Sequence, residues 1–155
     1  MPHRRALLAA ALLAPAVVLR AAAGAPTRVS VWRDPHCGCC AGWVAHLRAE
    51  GFAVEDEVVP SVAPVRRRLG TPPDLLSCHA GLVEGFALEG HVPAAVVRRL
   101  LAERPPGVRG LAVPAMPVGS PGMEVPGQPD DAYDVVAFGA APHRAFMRFR
   151  GARPA

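Results

Sequence analysis

The chain has 155 residues, of which 51% are apolar and 19% are charged, so it is long enough for one compact domain and too short for two full ones. Its 17 basic residues outnumber 13 acidic ones, giving a formal net charge of +4, and every basic residue is arginine. Aromatic residues make up only 5%, and no arginine stripe is interleaved with them. The composition therefore argues against disorder of the whole chain and against a nucleic-acid-binding protein.

The first 25 residues have the pattern of a secretory signal peptide. Two arginines precede the apolar run 6–19, and Ala23-Gly24-Ala25 is a small-residue cleavage pattern. The run is shorter than the ~20 residues that span a bilayer, so we expect export to the periplasm, cleavage after Ala25 and no stable membrane insertion. A retained membrane anchor is the alternative, and the export route, Sec or Tat, stays open.

The mature sequence, residues 26–155, opens with a strand, helix, strand, helix pattern. Residues 28–33 alternate and predict a strand. Apolar residues at i, i+3, i+4 and i+7 across residues 40–47 predict an amphipathic helix that Gly51 can close. Residues 53–59 predict a second strand, and residues 62–69 predict a short helix.

The second half contains further strands and one more helix. Residues 81–88 predict two short strands about a turn, and a helix follows from Pro93 until Pro105-Pro106. Residues 107–129 are rich in Gly and Pro and predict a long loop, a feature that is usually functional or disordered. Residues 133–138 and 145–149 predict a final hairpin.

This element order is typical of thioredoxin and glutaredoxin domains, in which the turn before the first helix carries the reactive site. We therefore predict an α/β, thioredoxin-like fold with a glutaredoxin-like βαβα-ββα core. The Gly/Pro/Met-rich loop and the C-terminal β-hairpin would follow this core. The mature chain, residues 26–155, would form this single domain.

Three of the four cysteines lie within four residues, at the predicted turn before the first helix. The four are Cys37, Cys39, Cys40 and Cys78. A disulfide between residues so close in sequence closes almost no loop and stabilises little, so the cluster indicates chemistry rather than scaffolding. A helix N-terminus favours the thiolate, which is both a nucleophile and a soft-metal ligand.

The third cysteine distinguishes two functions for this turn. A dithiol oxidoreductase needs only Cys37 and Cys40, whereas Cys39 increases the ligand density and lets sulfurs bridge several ions. In a thioredoxin-like domain, Cys78 and His79 would lie beside the N-terminus of the first helix. Soft sulfur donors favour Cu(I) and also suit zinc. The alternative for Cys78 is a disulfide with one of the other three.

Other donors carry open alternatives. The thioethers of Met116 and Met123 would shift the balance from zinc toward Cu(I), but both side chains could equally pack within the loop. His79 and His91 are candidate ligands or hydrogen-bonded structural residues. His36 and His46 fit structural or surface positions better. Residues 66–68, three consecutive arginines, are typical of a solvated helix face.

Several motifs in order resemble the CopG-like periplasmic copper-resistance proteins, also described as domain-of-unknown-function family 411. The motifs are residues 34–40 (DPHCGCC), Trp43, residues 77–79 (SCH), residues 89–93 (EGHVP), and residues 110–114 and 116–124. The resemblance implies a thioredoxin-like fold that holds copper, as a multinuclear Cu(I)–thiolate cluster. The implied sulfur ligands are Cys37, Cys39, Cys40 and Cys78, with His79, His91, Met116 and Met123 as candidate further ligands.

The chain departs from the family pattern at two positions. Ala115 replaces an expected glycine, which could shift the loop that carries Met116. His36 stands where small or polar residues are commoner, and it could add a ligand.

These observations favour an exported copper-binding protein that buffers Cu(I) in periplasmic copper tolerance, with no catalytic residue assigned. The main alternative is a thiol–disulfide oxidoreductase, or a copper redox protein, with Cys37 as nucleophile and Cys40 as resolving thiol. A third hypothesis is a metallochaperone. The expected partners are copper ions and periplasmic copper exporters or chaperones.

Overall fold

The computed structural model describes residues 24–139 and 142–155. Nearly all of the predicted signal peptide, residues 1–23, lies outside the described residues. Within them, eight strands form one mixed sheet, which packs with three α-helices. None of the helices described is both long and apolar enough to cross a membrane.

The helices and strands follow one another along the chain with short connections in the first half. They are β1 (Arg28–Arg33), α1 (Gly38–Ala49), β2 (Ala53–Val58), α2 (Ala63–Leu69), a 3₁₀ turn (Pro73–Leu75), β3 (His79–Val83), β4 (Phe86–Gly90), α3 (Ala94–Glu103), β5 (Val108–Val113), β6 (Ala132–Gly139), β7 (Arg144–Arg150) and β8 (Arg153–Pro154). The strand order in the sheet is β2-β1-β3-β4-β5-β6-β7-β8.

The first half has the element order that the sequence predicts, with boundaries that differ by a few residues. Strand β1 pairs in parallel with β2 and antiparallel with β3, which pairs antiparallel with β4. The C-terminal hairpin is also confirmed, since β6 and β7 pair antiparallel.

The prediction of a continuous loop over residues 107–129 is wrong, because β5 lies inside it. This strand pairs in parallel with β4 and antiparallel with β6, and so joins the C-terminal hairpin to the sheet. Its residues 110–113 are all buried. A strand buried on both faces lacks polar–apolar alternation, and its glycine and flanking prolines gave the segment the composition of a loop. The short strand β8 was not predicted either.

The helices cover both faces of the sheet. Helices α1 and α3 contribute to one large core cluster, with the buried residues Trp43, Val44, Leu47, Val96, Val97 and Leu100. Helix α2 packs in a separate cluster with Ala80 and Trp32. Successive residues of a strand point to opposite faces, so Val31 and Trp32 of β1 fall in different clusters.

The strand pairing brings two separate cysteine-containing segments together. Because β1 and β3 are antiparallel, Arg33 at the end of β1 lies opposite His79 at the start of β3. The turn that leads from β1 into α1 therefore meets the residues that precede β3. Cys37 and Cys78 reach the same edge of the fold in this way.

Candidate metal centre

Residues 37–40, which we name the cysteine turn, form the entry to α1. Cys37 is the N-cap residue, and Cys39 and Cys40 lie in the first helical turn. The backbone N–H of Cys37 donates to the carbonyl of Asp34 at 3.2 Å, which fixes the turn. The N–H groups of a first helical turn have no intrahelical acceptor, so this position favours negative charge on sulfur.

The cysteine turn is oxidised in this structure. Cys37 and Cys40 form a disulfide, while Cys39 and Cys78 are free thiols. The sulfur of Cys39 lies 3.4 Å from that of Cys37 and 3.9 Å from that of Cys78. The alternative in which Cys78 forms a disulfide is therefore not the arrangement seen here.

All four cysteine sulfurs lie within 4.8 Å of one another, as the sequence predicts. A second group, Cys78 with His79 and His91, meets the same distance limit, and we name these three residues the histidine side. Cys78 belongs to both groups. The six residues form a continuous donor set in which the four sulfurs and the two imidazoles meet at Cys78.

His91 is oriented as a metal-binding histidine would be. Its Nδ1 lies 2.8 Å from the carbonyl of Pro121, and because a carbonyl only accepts, Nδ1 carries the proton. Burial lowers the pKa of His91, so its neutral Nε2 keeps a lone pair. That Nε2 lies 3.1 Å from the sulfur of Cys78. Fixing one ring nitrogen on a carbonyl is how proteins orient metal-ligating histidines.

His79 is a neutral, fully buried imidazole. Burial, and next the neighbouring His91, lower its pKa to about 3. Its Nδ1 lies 3.2 Å from the sulfur of Cys78, and its ring stacks on Trp43 with centroids 4.3 Å apart. Among the described residues, Nε2 of His79 has no hydrogen-bond partner. A buried, unpartnered polar atom costs free energy; the nitrogen that faces Cys78 is the other one, Nδ1.

Burial, and next the neighbouring Cys39, raise the pKa of the Cys78 thiol to about 12. Cys78 is therefore protonated at neutral pH in the metal-free protein. Metal binding to a thiol displaces its proton. The histidine side thus has two neutral imidazoles around one protonated thiol, an arrangement that suits a soft cation better than an anion.

The loop after β5 packs over the cysteine turn. Gly122 has a φ of +87°, and a Cβ there would lie 2.5 Å from the Trp43 nitrogen and 2.8 Å from the Cys39 carbonyl oxygen. Only glycine allows so close an approach of the two backbones. The preceding residue, Pro121, supplies the carbonyl that orients His91. This loop therefore contributes to the site through its backbone.

The two loop methionines differ in exposure. Met116 is 42% exposed, and Met123 is half-buried next to Gly122. Their role as ligands stays a prediction. Ala115, where the family pattern has glycine, adopts a left-handed φ of +64°, and Met116 follows at +49°.

The remaining histidines of the site region differ in surroundings. His36 is exposed, and its backbone N–H donates to the Asp34 carboxylate. His46 accepts a hydrogen bond from the backbone N–H of Ala94 at the start of α3, which confirms a structural role. The added-ligand hypothesis for His36 stays a prediction.

Sequence reasoning missed a buried ion pair behind Cys78. Arg66, expected on a solvated helix face, instead pairs with the fully buried Glu89, while Arg67 and Arg68 are exposed. The prediction is therefore wrong for Arg66. Three consecutive arginines give no signal that one faces inward. The signal that could have found the pair is Glu89, the one acid in the otherwise apolar strand β4.

The chain is similar to one protein family and to two solved structures. The family model described as "Protein of unknown function, DUF411" matches residues 75–123. A solved structure named copper resistance protein CopG, form 2, is 42% identical, with a TM-score of 0.74; the match covers 80% of this chain and 98% of that chain. Form 1 gives the same identity and TM-score and covers 81% of this chain and 99% of that one. Among curated proteins, no sequence match is significant.

Proposed function

The chain belongs to the CopG-like copper-resistance family, and from this premise we propose that it is an exported protein that holds Cu(I) as a cysteine–thiolate cluster. It would act in the periplasm as a copper buffer that contributes to copper tolerance. The order of β1 to β4 around α1 and α2 supports a thioredoxin-like architecture for the first half.

One observation carries this proposal. Four sulfurs from two separate segments lie within 4.8 Å of one another, and a neutral imidazole faces one of them. Thiolates and imidazoles are soft and borderline donors, which favour Cu(I) over hard cations. Sulfurs at this spacing can each bridge two ions, so the site supports more than one copper. Zinc, which the same donors can bind, is the less favoured metal.

Full copper loading needs the cysteine turn to be reduced. A dithiol reductant would give two electrons and two protons to the Cys37–Cys40 disulfide and itself become a disulfide, and copper would then replace the protons of the two thiols. In the oxidised form, Cys39 and the histidine side keep two sulfurs and two imidazoles. We therefore expect copper capacity to depend on the redox state of the cysteine turn.

The disulfide also favours a second candidate function. In a thiol–disulfide oxidoreductase, reduced Cys37 would attack a client disulfide, and Cys40 would then release the client as a dithiol. Two electrons and two protons pass to the client, and the Cys37–Cys40 disulfide forms. This function needs neither Cys39 nor Cys78.

The Cys39→Ser substitution separates the two functions. We expect the reduced variant to bind fewer copper ions per chain than the parent, measured by anaerobic titration and metal analysis. An oxidoreductase would keep its insulin-reducing activity in this variant and lose it in Cys37→Ser. Unchanged copper binding together with preserved disulfide exchange would overturn the cluster.

Location is tested separately. Expression of the full chain, osmotic-shock fractionation and N-terminal analysis should give a periplasmic protein that begins at Pro26. A membrane-bound product that keeps residues 1–25 would support the retained anchor instead.

A further inference from the structure

We propose that Arg66 and Glu89 are positioning residues that hold Cys78 in place for copper binding. This inference rests on the proposed function, because it concerns the same site. Neither side chain touches the four sulfurs in the contacts of the described residues; both act on Cys78 through the backbone of Ser77.

The pair is buried and bidentate. The Glu89 side chain is 0% exposed and that of Arg66 is 17% exposed. Arg66 Nε donates to both carboxylate oxygens at 3.1 Å, and Nη2 donates to Oε1 at 2.7 Å. A two-pronged guanidinium–carboxylate contact fixes orientation as well as distance.

Ser77 is held on both of its backbone groups by this pair. Its N–H donates to Oε1 of Glu89 at 2.7 Å, and its carbonyl accepts from Nη2 of Arg66 at 2.5 Å. That carbonyl belongs to the peptide bond that leads into Cys78. The pair therefore fixes the plane of the Ser77–Cys78 peptide, and with it the direction of the Cys78 side chain.

The end of strand β4 brings Glu89 and His91, the two residues that support Cys78, close together. Glu89 holds Ser77, and two residues later His91 faces the Cys78 sulfur at 3.1 Å. Gly90 lies between them with a φ of +71°, and a Cβ there would lie 2.6 Å from Ser77 Oγ and 2.5 Å from the Val113 carbonyl oxygen. Residues 89–91 thus form one rigid support against the segment that carries Cys78.

Stability alone is a weak reason for such a pair. Removing two charges from water is costly, and well-packed apolar residues in place of a buried ion pair are often as stable or more stable. Apolar side chains, however, could not hold the N–H and the carbonyl of Ser77. The ion pair therefore provides hydrogen bonds to Ser77 that a pair of apolar side chains would not provide.

The test compares Glu89→Gln and Arg66→Lys with the parent protein. Both variants keep most of the side-chain volume, but the first loses the charge and the second loses the two-pronged contact. We expect Cu(I) affinity, measured against a competing chelator on folded protein, to fall by about 10–100-fold, the usual effect of losing a residue that supports a metal ligand. Affinity equal to that of the parent in both variants would overturn the proposal.

Asp56→Asn is the matched control. Asp56 forms a bidentate pair with Arg33 at 2.8 and 3.0 Å, with side chains 16% and 17% exposed. Asp56 makes its described side-chain hydrogen bonds to Arg33 and none to Ser77 or Cys78. Its loss should cost stability and leave copper affinity within about twofold, because the side chains of this pair hydrogen-bond each other and not the segment that carries Cys78. An equal loss of affinity in this control would overturn a specific role for Arg66 and Glu89.

The double variant Arg66→Met/Glu89→Leu separates positioning from stability. Because it leaves no unpaired buried charge, it should be more stable to heat than either single variant, while copper affinity stays low because Ser77 has lost both hydrogen bonds. Recovery of copper affinity together with stability would mean that the pair is only structural. If the double variant does not fold, Arg66→Lys, which keeps the charge, decides the question through its affinity alone.

A measurement without copper keeps this inference distinct from the proposed function. In the metal-free protein, the rate of Cys78 alkylation, followed by mass spectrometry, should rise several-fold in Glu89→Gln and not in Asp56→Asn. If the parent binds no copper, the proposed function fails, and this rate still reports whether Arg66 and Glu89 hold Cys78. If the parent binds copper and the rate is unchanged, the positioning role fails.

Discussion

The cysteine turn and the histidine side both contribute donor atoms to one site, but different contacts hold the two groups in place. In the cysteine turn, three sulfurs lie within four residues at the start of one helix, and local backbone geometry alone brings them together. His79 and His91 are fully buried and Cys78 is half-buried, and contacts from α1, α2, β4 and the loop after β5 hold these three residues. The disulfide thus lies in a locally formed turn, whereas contacts from several helices and strands hold the histidine side.

The largest loss of copper affinity should come from replacing Cys78, the residue that belongs to both the four-cysteine group and the histidine side. Cys78→Ser takes a sulfur from the four-cysteine group and from the histidine side, so we expect Cu(I) affinity to fall by at least about 100-fold, beyond the usual effect of losing a supporting residue. Cys37→Ser removes a sulfur from the cysteine turn alone and should have a smaller effect. Chelator competition measures both, and a larger loss in Cys37→Ser would contradict the central place of Cys78.

Trp43 lies in the helix that begins at the cysteine turn and stacks on His79 of the histidine side. The Trp43→Phe substitution should destabilise the metal-free protein by about 1–3 kcal/mol, the cost of leaving the buried acceptor of its N–H group unpaired. Its indole N–H, in a fully buried side chain, donates to the Val92 carbonyl at 2.8 Å. Denaturant unfolding measures the loss. Trp32→Phe is the control, because the Trp32 N–H bonds to Glu57 at the surface. If both variants lost the same free energy of unfolding, burial of the Trp43 hydrogen bond would not be the cause of the loss.

Acid should weaken the histidine side selectively. The folded protein holds the pKa of His79 at about 3, whereas the unfolded chain takes up a proton below about 6.5. The stabilising contribution of neutral His79 is therefore complete above about pH 6.5 and declines as the pH falls. The free energy of unfolding should decrease by about 2 kcal/mol between about pH 7 and pH 5. Denaturant unfolding at both pH values measures this in the parent and in His79→Leu. An identical pH dependence in the two proteins would exclude His79 as the cause.

The smallest effect should come from the loop, at Ala115. A non-glycine residue with a φ of +64° is strained, so Ala115→Gly should stabilise the protein by about 0.5–1 kcal/mol after the entropy of glycine is counted. Copper affinity should not change. Gly127→Ala is the reverse control, since Gly127 has a φ of +81° with open space around its Cα, and it should be destabilising. A lower free energy of unfolding in Ala115→Gly would show that the backbone of Ala115 is not strained.

The sequence could predict what depends on local pattern. The helix that carries Cys39 and Cys40 follows from apolar spacing, and the element order then places Cys78 beside it. The role of Arg66 could not be predicted, because its partner lies 23 residues away and a buried arginine looks like its exposed neighbours in sequence. Strand β5 was missed because residues buried on both faces show no alternation. The redox state of the cysteines depends on the environment rather than on the sequence.

The proposed thiolate cluster is tested most directly by an anaerobic Cu(I) titration, run in parallel on the reduced protein and on the Cys37–Cys40 disulfide form. Bound copper per chain is measured against a competing chelator and again after desalting. We expect more than one retained copper in the reduced protein and fewer in the disulfide form, where only Cys39 and the histidine side remain available. Weak or absent binding in the reduced protein, together with insulin-reducing activity in the same preparation, would contradict the thiolate cluster.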